Sequence, residues 1–198
     1  MQKYELIGIE NLRPLELVFP NHLENLRKII KSDGIMKQAL IVDKDNKIVL
    51  DGSHRHVFLL MEGYEFAPVQ FVDYSDPHIR VGTSRIHRML IKGDVGISKE
   101  EVIERGINGD LFSPRTTRHF FPFLREDIDI PLSSLIQKSR RDVGMNISND
   151  DLKTEIDHNE KYIKEIEEES EELIKYIMEG ISTKKYLQQQ LNIMKDKK

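Results

Sequence analysis

Apolar positions recur along the first seventy-four residues in two alternating rhythms. Glu5-Leu6-Ile7-Gly8-Ile9 alternates loosely and predicts a short strand, which Asn11-Leu12-Arg13-Pro14 ends. From His22 the spacing lengthens: Leu23, Leu26 and Ile30 share one face of a helix, and Asp33-Gly34 supplies a left-handed cap. Ala39-Leu40-Ile41-Val42 and Lys47-Ile48-Val49-Leu50 read as strands joined by the polar loop Asp43-Lys44-Asp45-Asn46. A helix opening near Ser53 should end at Gly63, and Ala67 to Tyr74 reads as another strand. The expected product is an α+β fold, a small mixed sheet carrying helices.

Further on the pattern weakens and then changes. Between Ser75 and Gly96, prolines, glycines and basic residues predict irregular structure or a short helix. Ser98-Lys99-Glu100-Glu101 has the form of a capping box, so a helix should begin there and close at Asn108-Gly109. From about Ser148 to Glu179 the chain is rich in Glu and Lys, with Ile156, Ile163, Ile166, Leu173 and Ile177 in a heptad-like stripe. A second helix, Thr183 to about Met194, follows Gly180. Together they predict a helical hairpin or arm, an acidic solvated face that either packs on the domain or pairs in a homodimer. The expected division is a domain over 1–136 and a helical extension over 137–198.

Composition removes several chemistries. The 198 residues include no cysteine, which excludes disulfides, thiolate metal sites and thiol nucleophiles. No apolar run is long enough to span a bilayer, and the first residues lack a basic-then-apolar leader, so a cytoplasmic protein with no membrane partner is expected. A formal charge of −4 and a pI near 6.0 argue against a general nucleic-acid partner.

Two stretches carry candidate chemistry. In Val49-Leu50-Asp51-Gly52-Ser53-His54-Arg55 an apolar run meets Asp-Gly and then a helical pattern. Read as strand-turn-helix, it offers the unpartnered amides of a helix start to phosphate or carboxylate, with Gly52 allowing close approach and His54 and Arg55 adding donors. Read by its Asp-Gly pair alone, it is a hairpin turn. Asp51 would repel phosphate unless a cation such as Mg2+ stood between them or a donor group used it. The second stretch, Asp110 to Phe123, sets Ser113, Arg115, Thr116, Thr117, Arg118 and His119 among aromatic residues. Its donors could face an anion while the rings anchor it, or it is a surface loop with solvated arginines.

These residues carry a resemblance. Ile7 to Tyr74, with Asp51-Gly52-Ser53-His54-Arg55, resembles the N-terminal domain shared by the partition protein ParB and sulfiredoxin, and Gly109-Asp110-Leu111-Phe112-Ser113-Pro114-Arg115-Thr116-Thr117-Arg118-His119 is similar to the free serine kinases of that superfamily. The first motif marks only the superfamily; the second is more specific. The stretch from Tyr74 to Ser98 is shorter than in the archaeal enzymes, Ala39 stands where proline is usual, and the tail after about Gln137 has no counterpart.

The resemblance implies a ParB/sulfiredoxin-like fold and phosphoryl transfer from ADP or ATP, with Mg2+, to the hydroxyl of free L-serine. Glu16 matches the position of the catalytic glutamate and would be the general base, with Asp51 holding the hydroxyl or the metal. Gly52, Ser53, His54 and Arg55 would cradle the nucleotide phosphates, and Thr116, Thr117, Arg118 and His119 would bind serine or the transferred phosphate. Metal ligands are not legible. The same resemblance leaves an alternative, a nucleotide-binding ParB-like regulatory protein associated with DNA.

Overall fold

Strand β3 (Leu40–Asp43) is buried at all four positions, which requires cover on both faces of the sheet it lies in. The computed structural model describes residues 4–83 and 96–149 and, beyond these, Lys164, Glu168, Glu171 and Met178. The sheet is four-stranded, in the order β1-β5-β3-β4, with β1 as Glu5–Gly8, β4 as Val49–Asp51 and β5 as Phe66–Val72. β1 is antiparallel to β5, β5 parallel to β3, and β3 antiparallel to β4. The mixed sheet and its helices therefore stand as expected.

Alternation along the strands divides the core in two. Leu40, Val42, Val49, Ala67 and Val69 face one cluster, together with Leu23 and Ile30 of helix α1 (Pro20–Asp33) and Val57, Phe58 and Leu59 of α2 (Ser53–Glu62). Ile41, Ile48 and Leu50 face the other, with Tyr74, Phe112 and Val102 of α3 (Lys99–Asn108). Gly34, Gly63 and Gly109 cap the three helices in left-handed conformation. Ser98 accepts from the Glu101 amide at 3.1 Å, while the Glu101 carboxylate takes Arg105 Nε rather than closing a reciprocal box. In the β3–β4 connection the Asp43 carboxylate accepts from the Asn46 amide at 2.9 Å.

Two departures share one cause. Arg80–Thr83, expected to be irregular or helical, is strand β6, and Thr117–Phe120, within the stretch offered as a loop, is strand β7. They pair antiparallel, Gly82 opposite Arg118, so each finds its hydrogen bonds 36 residues away and neither shows as a strand in its own local pattern. A further two-stranded pair joins β2 (Ile35–Met36) to β8 (Ile130–Pro131).

The chain divides into two compact units, Met1–Leu152 and Lys153–Lys198. Residues 137–148, grouped by sequence with the extension, lie on the first unit: Gln137 bridges Tyr64, Ile147 bridges Val18, and Val143 enters the core. The helical arm expected beyond residue 148 lies outside the described residues, apart from the four named above, which are helical and exposed. No helix among the described residues is long and apolar enough to cross a membrane.

Candidate active site

The Asp51-Gly52 step is a strand-to-helix turn, not a hairpin. β4 ends at Asp51 and α2 opens at Ser53 with Gly52 as its cap at φ 99°. A side chain at Gly52 would meet Leu40 Cδ2 at 2.7 Å, so packing as well as φ demands glycine. Neither a side-chain cap nor an acidic residue occupies the first turn of α2. The helix itself supplies no acceptor for the Ser53, His54 and Arg55 amides, and its dipole favours an anion there.

Two arginines share the Asp51 carboxylate. Asp51 Oδ2 accepts from Arg55 Nη2 at 2.7 Å and from Arg125 Nη1 at 2.8 Å. Arg55 Nη1 also donates to the Gln38 and Ala39 carbonyls at 2.9 and 3.0 Å. The guanidinium expected to grip phosphate is thus directed inward, and what Arg55 offers the turn is its amide and its charge. Among the described residues no group of three or more His, Asp or Glu side chains could hold a metal ion.

His54 is oriented by the start of the neighbouring helix. The Phe19 amide, at the cap of α1, donates to His54 Nε2 at 3.1 Å, so the neutral ring carries its proton on Nδ1. Burial, then His22 and Arg115, push its pKa down to about 3. His22 meets it edge-on, ring centroids 4.5 Å apart. Arg115 sits at φ 55°, a left-handed conformation unusual for a long side chain.

The Ser113 to His119 stretch reaches the same place from the other side. Thr117 gives Glu16 Oε1 two hydrogen bonds, from its amide at 2.5 Å and its hydroxyl at 2.6 Å, and Glu16 bridges Phe112. Two residues on, buried His119 meets the Tyr74 hydroxyl through Nε2 at 2.9 Å. Burial lowers the His119 pKa to about 4, against the opposing pull of the Asp51 charge and of a hydrogen bond to the Leu50 backbone. β7 therefore spans from Glu16 to the end of β4, two residues or roughly 7 Å along a strand. Thr116 is buried and its hydroxyl finds no protein partner, whereas Arg118 is exposed, its guanidinium 5.4 Å from the Phe120 ring centre. His119 is a strut between strands rather than an open donor.

No family model matches the chain. An ATP-dependent L-serine kinase from Staphylothermus marinus is 30% identical over 106 residues, 52% of this chain and 41% of that protein. A ParB-like protein from Sulfolobus acidocaldarius is 31% identical over 83 residues, 41% of each. The matched part spans about two fifths of the length of these curated relatives. A solved free serine kinase in complex with AMP aligns with a TM-score of 0.59 at 18% identity, covering 68% of this chain and 94% of that one. This chain has the free serine kinase fold.

The ParB/sulfiredoxin-like fold expected from the sequence is therefore borne out. Sequence reasoning missed Arg125, Tyr74 and His22, which the free serine kinase fold brings against Asp51, His119 and His54. Arg125 and Tyr74 sit 74 and 45 positions from their partners, and no local pattern marks such pairs. His22 was legible only as the opening residue of a helix whose start converges on that of α2.

Proposed function

We propose that this chain phosphorylates the hydroxyl of free L-serine, using ADP or ATP, with the chemistry in its first unit. The observation that carries the reading is the convergence of three distant segments. Thr117 holds Glu16, and His119 on the same strand feels the Asp51 charge at the start of the phosphate turn. Phosphoryl transfer asks a protein for this arrangement: a place for phosphates, a carboxylate for the attacking hydroxyl, and a rigid frame between them.

In this reading the Ser53, His54 and Arg55 amides and the dipole of α2 take the phosphates, and Glu16 takes the serine proton as the serine oxygen bonds to the terminal phosphorus, the phosphoanhydride bond breaks and AMP (from ADP) or ADP (from ATP) leaves. Thr117 orients the carboxylate. Asp51, with Oδ2 already taken by two guanidiniums, is a poor ligand for an ion of its own. Mg2+ would enter on the nucleotide phosphates. Incubation with L-serine, Mg2+ and either ADP or ATP, followed by chromatographic detection of O-phosphoserine, tests the proposal. Phosphoserine with one donor and not the other names the donor; none with either refutes the activity.

The similarity to a ParB-like protein supports a second reading, a nucleotide-binding regulator that associates with DNA. Among the described residues the three α-helices are separated by strands, so none pair through a short turn as a DNA-reading helix-turn-helix does. Salt-dependent DNA binding stimulated by nucleotide, without phosphoserine, would favour it.

A further inference from the structure

We propose that Arg125 is a phosphate-binding residue held in reserve by Asp51, a cation that leaves the carboxylate for the nucleotide when the turn is occupied. The proposal rests on the phosphate-binding role given above to the start of α2.

Two guanidiniums share a single oxygen, Asp51 Oδ2, yet they are held differently. Arg55 is 14% exposed and tied to two main-chain carbonyls, so it has nowhere to go. Arg125 is 39% exposed, and its remaining described contact is with the Phe121 ring, 5.8 Å from guanidinium carbon to ring centre. It stands beside Leu124, which is 91% exposed, on a segment joined to the body at Ile128, whose amide bonds the Lys37 carbonyl.

The charges give this asymmetry a consequence. One carboxylate beside two guanidiniums leaves a surplus positive charge next to the Ser53 to Arg55 amides, where a phosphate would rest. Arg55 alone suffices to neutralise Asp51, so transfer of Arg125 to phosphate strands no charge. A guanidinium fork matches two phosphate oxygens, which an ammonium cannot do.

Titration calorimetry of the full chain with ADP, without divalent metal, tests this. Arg125→Ala is expected to weaken ADP binding tenfold or more, and Arg125→Lys to recover part of the loss. Asp51→Asn is expected to tighten binding, because the carboxylate competing for Arg125 is gone, and the double variant to bind as weakly as Arg125→Ala. A contact that only fastens the segment predicts that both single variants weaken binding alike. That result, or unchanged affinity in an Arg125→Ala protein whose thermal melt matches the parent, overturns the proposal. If the parent chain binds neither ADP nor ATP, the proposed function falls with it; if the parent binds and Arg125→Ala binds equally, this assignment falls alone.

Discussion

Glu16 lies outside the regular sheets, and its carboxylate accepts from the amide and hydroxyl of Thr117. A glutamine there would keep an acceptor for both donors while losing the capacity to take a proton, so Glu16→Gln separates chemistry from placement. Its turnover of L-serine should fall on the order of 10²- to 10⁴-fold with nucleotide affinity preserved, as read from steady-state phosphoserine formation and from titration with ADP. Wild-type turnover in that variant would remove Glu16 from the role of base. Tyr74 acts one step back: its hydroxyl, 2.9 Å from His119 Nε2, satisfies a buried ring. Tyr74→Phe leaves that nitrogen without its partner and should lower the urea-unfolding free energy by roughly 1–3 kcal/mol. The candidate roles of Glu16 and Thr117 followed from the family resemblance, but that one grips the other did not, since 101 residues separate them.

At the scale of elements, α3 lies against the sheet at one small residue. A side chain at Gly106 would meet Ile48 Cδ1 and Cγ1 at 2.6 and 2.7 Å, and Ile48 is fully buried. Alanine in a helix is intrinsically favoured over glycine by up to about 1 kcal/mol, while overpacking a core costs roughly 1–3 kcal/mol. The second effect should win. Gly106→Ala is therefore expected to destabilise the protein, and Ile48→Val in the same chain to restore part of the loss, as followed by denaturant midpoint. A gain in stability from Gly106→Ala alone would mean the helix does not press on Ile48. Elements with their own signal, such as α1 and α2 with their apolar faces and glycine caps, were readable in advance. β6 and β7 were not, because each becomes a strand only by lying beside the other.

The whole molecule keeps several histidines neutral in its interior. Burial holds His56 and His119 at about 4 and His54 at about 3, with Arg141 adding to the effect on His56. An unfolded chain takes up protons at these rings below about pH 6.5 while the folded protein refuses them, so the unfolded state binds more protons and stability falls with falling pH. The loss should open near pH 6.5 and continue towards pH 4, at a slope of up to roughly 1.4 kcal/mol per pH unit for each fully developed group. Glu62 acts in the same sense at lower pH. Burial opposes its ionisation, but bonds from Arg27 and Lys31 outweigh it and draw its pKa below the usual range, so its contribution is lost as pH falls through that lowered value. Urea midpoints between pH 7.5 and 4.5 measure the effect; a flat profile would show that these rings are not kept dry.

Patterning by itself determined the α+β class, the helices with their caps, all four strands of the central sheet and the two motifs that carry the resemblance. Those features rest on contacts within a few residues, which hydrophobic period and turn chemistry record directly. Tertiary structure alone decided the pairing of β6 with β7, the inward direction of Arg55, the grip of Thr117 on Glu16 and the second arginine on Asp51. Each of these depends on groups that share a place in space and no periodicity along the chain, so nothing in the local order of residues encodes which will meet.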